Sequence, residues 1–76
     1  MKVEAVKKIV EELKKEQYIG LYVTIQTKHG HHFDLELSDA NIQLSLNEES
    51  EILHLTYIDG VCHDWVDTDE ISYIGV

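Results

Sequence analysis

The spacing of apolar residues changes from a helical period to an alternating one near residue 20, and this change constrains the fold more than any other feature. In the first 17 residues apolar side chains recur at intervals of three and four, as on one face of an amphipathic helix. From Leu21 onward apolar and polar residues alternate, which is typical of strands with one buried face. The sequence therefore predicts an α+β fold, with a helix at residues 2–17 followed by strands.

Turn signals divide the alternating region into a five- to six-stranded antiparallel meander. Lys28-His29-Gly30 provides a three-residue loop with a glycine where such loops need a left-handed residue. Asp59-Gly60 is the strongest two-residue hairpin signal, and it predicts a type I′ turn with positive φ at both residues. A short helical turn at 67–70 precedes the last strand. The predicted strands are residues 21–28, 31–37, 42–47, 52–58, 61–66 and 71–75.

Loop length predicts which side chains face each other, because a slip of one residue would move every side chain to the opposite face. The three-residue loop of the first hairpin fixes its register. The expected inner pairs are Ile25–Phe33 and Val23–Leu35, and the outer pairs are Gln26–His32, Thr24–Asp34 and Tyr22–Glu36.

The same argument extends to the later strands. If the four-residue loop 38–41 connects two paired strands, Ile42 points inward and Gln43 outward. In the last hairpin His54 is expected opposite Trp65, whereas Cys62 lies on the other face as a small inward residue.

A chain of this length forms a single small acidic domain, residues 1–76, that buries only about 60% of the surface of its unfolded state. A short turn before a closing strand resembles the ends of SH3-like and Sm-like small barrels. The likeness is one of topology and gives no function. Neither face of the hairpin at 52–66 is polar, and one helix cannot cover two sheet faces, so we expect a homo-oligomer, a dimer or larger.

Negative charge is concentrated in the second half of the chain. No basic residue follows Lys28, whereas eleven carboxylates fall between Asp34 and Glu70, and the net formal charge is −9. Such a surface attracts cationic partners and repels polyanions, so we expect a basic protein partner and no direct nucleic-acid binding. The residues expected to contact this partner are Asp34, Glu36, Asp39, Glu48, Glu49 and Glu51.

Size and charge together favour a small acidic protein-binding module. In composition the chain resembles small acidic proteins of mobile elements that inhibit host nucleases or CRISPR effectors. A phage inhibitor that mimics nucleic acid before a basic nucleic-acid-handling protein is therefore the first hypothesis. The alternative is a homo-oligomeric small barrel that binds a small molecule or has an accessory structural role, with the charge serving only solubility.

The histidines give two weaker site hypotheses. His29, His31 and His32 surround Gly30 and form the most metal-like cluster, but the preferred explanation is a polar hairpin tip whose imidazoles lie in water. His54, His63 and Trp65 share one face of the last hairpin and could line a shallow ligand pocket; the alternative is that the helix or a partner chain covers them.

The sequence contains no motif typical of an enzyme or of a cofactor site. Cys62-His63-Asp64 contains a nucleophile, a base and a carboxylate, but neighbouring strand residues point to opposite faces. We therefore expect no catalytic residues and no cofactor.

No signal peptide is recognisable, and no apolar run approaches the about 18 residues of a membrane span. Since Cys62 is the only cysteine, a reducing, cytoplasmic setting without a membrane partner is expected.

Overall fold

The computed structural model describes residues 1–76 and has an N-terminal helix followed by six antiparallel strands, as predicted. Each strand lies within two residues of its predicted bounds, whereas the helix ends four residues early. Short 3-10 turns occur at Glu16–Tyr18 and Thr68–Glu70. The elements are α1 (Val3–Leu13), β1 (Tyr22–Thr27), β2 (His32–Glu36), α2 (Ala40–Gln43), β3 (Leu44–Asn47), β4 (Ile52–Thr56), β5 (His63–Asp67) and β6 (Ile71–Gly75).

The strands form two three-stranded sheets. The first sheet has the order β2-β1-β6 and the second β3-β4-β5. The register predicted for the first hairpin is confirmed, with Val23 opposite Leu35 and Ile25 opposite Phe33. No strand pair joins the two sheets, so β2 and β3 are not paired as the loop argument assumed, and closure into a barrel is not seen.

Helix α1 packs its apolar stripe on β3, β6 and the Thr68–Glu70 turn. The N-terminal ammonium group of Met1 donates hydrogen bonds to the backbone oxygens of Thr68 (2.9 Å) and Ile71 (2.7 Å). These bonds fix the start of the helix to the turn that leads into the last strand. No helix of the structure is both long and apolar enough to span a membrane. The core between helix and sheets includes Val6, Val10, Leu13, Val23, Ile25, Leu35, Leu44, Leu53, Leu55, Val66, Ile71 and Ile74.

The connection between the two sheets differs from the prediction. Instead of continuing an alternating strand, the chain makes the helical turn α2, which leaves Ile42 65% exposed and buries Gln43. The side chain of Asp39 caps this turn by accepting a hydrogen bond from the backbone N–H of Asn41. The predicted inward Ile42 and outward Gln43 are therefore wrong, because helical geometry rotates successive side chains by about 100° rather than 180°.

The hairpin of β4 and β5, called the second hairpin below, keeps its predicted register but has a different turn. His54 lies opposite Trp65, as expected. The type I′ turn is not formed: Gly60 has φ +74°, but Asp59 does not have positive φ, and Glu51 is the one non-glycine residue that does (φ 55°). Instead, a carboxylate oxygen of Asp59 accepts hydrogen bonds from the backbone N–H groups of Val61 and Cys62, both at 2.9 Å.

Cys62 lies outside the strand and is exposed, which corrects the prediction that it points inward. The strand begins one residue later, at His63, so the alternation of faces does not extend to Cys62.

Candidate functional site

A cleft of about 260 Å³ lies between β2 and β5, the outer strands of the two sheets. Apolar and aromatic side chains form part of its wall, and two carboxylates and two imidazoles complete it. The first hairpin contributes Thr27, His29, His31 and Phe33; β5 contributes Trp65, Val66 and Asp67; and Glu70 comes from the 3-10 turn.

A backbone hydrogen bond holds the first hairpin against the 3-10 turn. The backbone N–H of Lys28 donates to the backbone oxygen of Glu70 at 2.8 Å. Within the hairpin, Thr27 and His31 are joined by two hydrogen bonds, one to the His31 carbonyl oxygen and one to the Thr27 hydroxyl. His29 Nε2 lies 2.8 Å from Glu70 Oε2. That distance is within ion-pair range, although this Glu70 oxygen accepts no hydrogen bond of good geometry and is itself buried, in a side chain that is 45% exposed.

The structure separates the three histidines of the proposed metal cluster. His29 and His31 line the cleft, whereas His32 lies opposite Gln26 in the first sheet. No group of three or more His, Cys, Asp and Glu side chains is placed to hold a metal ion.

His54, His63 and Trp65 come together on the outer face of the second sheet. The His54 and Trp65 rings are nearly parallel, at 5°, with centroids 4.9 Å apart, and the His54 and His63 centroids are 5.0 Å apart. His54 Nε2 and His63 Nδ1 share a hydrogen bond of 2.8 Å. Trp65 is 65% exposed, so α1 does not cover this face. Trp65 stacks on His54, whereas the two imidazoles lie edge to edge across their hydrogen bond, and Trp65 also borders the cleft.

The side chains of Cys62, His63 and Asp64 bind different partners. His63 contacts His54, and Asp64 accepts a hydrogen bond from the Tyr57 hydroxyl at 2.7 Å. Cys62 lies beside the Asp59 carboxylate, which raises the pKa of its thiol by accepting a hydrogen bond and by its charge. No pairing of a nucleophile with a base results.

Tyr57 and Asp64 form a hydrogen-bonded pair, outside the lining of the cleft, that the sequence argument missed. Burial raises the pKa of the Tyr57 hydroxyl well above its usual value, and the charges of Asp64 and Asp34 add to this rise. The predicted register contained one signal of this pair. It placed Tyr57 opposite Cys62 and the Asp64 carboxylate two residues further along the same inner face, where a carboxylate needs a hydrogen-bond donor.

The six carboxylates of the predicted binding surface fall into two groups. Glu48, Glu49 and Glu51 belong to the β3–β4 turn, and Glu48 pairs with Lys7 of α1 at 3.3 Å. Lys14, which follows the last residue of this helix, also lines the hollow beside Glu48. The lysines at the start of the chain thus balance part of the negative charge of this turn.

The other group has no such compensation. Asp34 and Glu36 on β2, and Asp39 at the start of α2, have no cationic side chain within 4.0 Å. The Thr24 hydroxyl orients Asp34 through a hydrogen bond of 2.6 Å. Across the ladder from Glu36 lies Tyr22, which is 64% exposed.

A second tyrosine completes this outer face of the first sheet. Tyr73 of β6 is exposed, lies opposite Gln26 and places its ring over Gly75, where a β-carbon would collide with its hydroxyl. The face therefore combines free carboxylates with exposed tyrosines.

Comparisons of the chain with family models, with curated proteins and with solved structures give no match.

Proposed function

We propose that the protein binds a basic protein partner through the outer face of the first sheet. The observation that supports this is the contrast between the two groups of carboxylates. Lys7 and Lys14 lie beside the β3–β4 turn, where Glu48 has a lysine partner although Glu49 and Glu51 have none, whereas no lysine partner is found for Asp34, Glu36 or Asp39. A partner that supplies lysine or arginine side chains would gain charge complementarity there, which increases both association rate and specificity.

Tyr22 and Tyr73 support a protein as the partner. Tyrosine supplies large contact area and a polar tip, and it is enriched at the centre of protein interfaces. A nucleic acid would meet carboxylates on the same face, where binding requires cations.

Among basic proteins, those that handle nucleic acids have surfaces built to attract phosphate groups. A carboxylate face could occupy such a surface in place of DNA or RNA, so the proposed role is that of a phage inhibitor of a nuclease or CRISPR effector. The exposed free thiol of Cys62 suits a reducing compartment such as the cytoplasm.

The test removes charge without removing hydrogen-bond acceptors. The triple variant Asp34→Asn, Glu36→Gln, Asp39→Asn keeps an acceptor for Thr24 and an effective helix cap. The matched control, Glu4→Gln, Glu11→Gln, Glu16→Gln, removes the same number of charges from exposed positions in the N-terminal part. Both variants therefore have the same net charge.

Proteins captured from a host lysate by the parent and by both variants are compared, and each captured protein is then purified and titrated at about 50 mM and 300 mM salt. We expect the β2–α2 variant to lose about tenfold in affinity at low salt and the control to lose less than about twofold. The parent should also displace duplex DNA from the partner. Equal losses in the two variants would show that only net charge matters and would refute the proposed face.

Self-association through the second hairpin is a second candidate, favoured by its exposed apolar tip. Val61 is 78% exposed and Ile58 is 58% exposed, and Trp65 lies on the same hairpin. The double variant Ile58→Ser, Val61→Ser should convert an oligomer into a monomer in sedimentation experiments. A parent protein that sediments as an 8.8 kDa monomer at high concentration would eliminate this candidate.

A further inference from the structure

We propose that the cleft between β2 and β5 binds an organic cation, a guanidinium or alkylammonium group on a short carbon chain. Its lining contains the carboxylates of Asp67 and Glu70 and no lysine. Its remaining wall is partly apolar, with Phe33, Trp65 and Val66. A metal ion would need more oxygen or nitrogen ligands than converge here, whereas a cation that carries carbon uses both the charged and the apolar parts of the wall.

Glu70 supplies the strongest reason for a charged donor. Its Oε2 atom is buried and accepts no aligned hydrogen bond, although His29 Nε2 is 2.8 Å away. Because the Glu70 side chain is 45% exposed, a ligand that donates a charged N–H group can bind its carboxylate alongside His29. A guanidinium group offers several such donors in one plane.

Trp65 provides an aromatic surface beside this carboxylate. Its indole is held by near-parallel stacking with His54 and His63, at centroid separations of 4.9 and 5.8 Å. An organic cation next to an indole ring gains a favourable interaction with the π-system. Because stacking already orders the ring, little conformational entropy is lost when a ligand binds.

The frame of the cleft is held in place before any ligand binds. The Lys28 N–H to Glu70 carbonyl hydrogen bond joins the first hairpin to the 3-10 turn. Asp67 caps that turn by accepting a hydrogen bond from the Asp69 N–H through one carboxylate oxygen, Oδ1, which leaves its other oxygen free for a ligand.

The test uses Trp65 fluorescence, since this is the single tryptophan of the chain. Ethylguanidinium chloride is titrated against the full chain, with ethylurea as a neutral ligand of nearly the same shape and propionate as an anion. We expect saturable binding of ethylguanidinium with a Kd of about 1–10 mM, as befits so small a ligand. Ethylurea and propionate should bind at least about tenfold more weakly. Equal responses to ethylguanidinium and ethylurea, or no saturation with ethylguanidinium, would overturn the proposal.

Two variants distinguish the effect of the Glu70 carboxylate on binding from the effect of net charge. Glu70→Gln should weaken ethylguanidinium binding roughly tenfold, because it removes the charged acceptor. Asp69→Asn removes one charge from the same turn outside the cleft lining and should change the Kd by less than about twofold. Thermal melts confirm that both variants fold, and Asp67→Asn serves in place of Glu70→Gln if that variant is unfolded. Equal weakening by Asp69→Asn would refute a site at Glu70.

The cation could be a free small molecule or the side chain of a protein. A Gly-Arg-Gly amide peptide distinguishes these sources, both of which agree with the proposal. Binding at least as tight as that of ethylguanidinium indicates that an arginine side chain fits, and weaker binding indicates a free small molecule. Because the cleft residues are intact in the variant that tests the outer face of the first sheet, failure of one proposal leaves the other standing.

Discussion

The β1–β2 hairpin and the connection from Ser38 to Gln43 respond differently to the same sequence argument. In the hairpin, alternation of apolar and polar residues and the length of one loop predict all five inter-strand pairs. In the connection, the same alternation places both Ile42 and Gln43 on the wrong side. The difference shows that alternation predicts side-chain direction only where a neighbouring strand satisfies the backbone.

In the connection, the Gln43 side chain replaces a neighbouring strand as the hydrogen-bond partner of the backbone. Gln43 Oε1 accepts hydrogen bonds from the backbone N–H groups of Ser38 (2.6 Å) and Asp39 (2.9 Å). Its Nε2 donates to the backbone oxygen of Glu36 at 2.8 Å. One buried amide therefore satisfies three backbone groups where the chain leaves the first sheet. A glutamine in an alternating run gives no sign of this role.

The largest expected effect is that of Gln43→Leu. The leucine would leave three backbone groups without a partner, and we expect a loss of about 3 kcal/mol in the free energy of unfolding. For a domain of this size that lowers the Tm by roughly 12–24 °C. Gln17→Leu, at an exposed position, is the control and should melt near the parent. If the two variants melt together, the Gln43 amide does not hold the connection.

The hairpin side of the comparison depends on two glycines. Gly30 has φ +85° and Gly60 has φ +74°, and a β-carbon at either would meet nothing within 4 Å. Valine at either position should therefore cost about 1–3 kcal/mol through backbone conformation alone. Asparagine tolerates positive φ better, so Gly30→Asn and Gly60→Asn should lose less, as measured by denaturant unfolding. Equal losses for valine and asparagine would point to a cause other than φ.

What the sequence could predict follows from these two regions. Strand positions, both hairpin registers and the turn before β6 depend on local periodicity and loop length, and all of them could be predicted. The pairing of strands into two sheets depends on where the chain bends, and no residue pattern in the connection signals the bend. The candidate site shows the same limit, because Lys7 and Glu48 are 41 positions apart in sequence and 3.3 Å apart in the structure. Opposite charges that are far apart along the chain therefore lie side by side in the structure.

A smaller effect is expected in the β3–β4 turn, where a glutamate adopts the conformation that the hairpins give to glycine. Glu51 has φ 55°, which is strained for a residue with a β-carbon. Glu51→Gly should therefore raise the free energy of unfolding by about 0.5–1 kcal/mol. Glu51→Gln separates the effect of charge from that of backbone conformation. If the glutamine variant gains as much as the glycine variant, repulsion within the acidic turn, rather than strain, limits stability there.

The smallest effect concerns Cys62, the residue of the second hairpin that alternation places inward and the structure places outside. An exposed thiol should react with iodoacetamide in the native protein, whereas an inward one would need denaturant.

Asp59 raises the pKa of Cys62, so less thiolate is present at pH 8 and the reaction should be slower than that of a free cysteine peptide. Asp59→Asn lowers this pKa again. Each unit of decrease should speed alkylation about threefold, because the larger thiolate fraction outweighs the lower intrinsic nucleophilicity. Asp69→Asn, beyond the opposite end of β5, should leave the rate unchanged. A thiol that reacts only after denaturation would restore the inward assignment and remove this difference between the two hairpins.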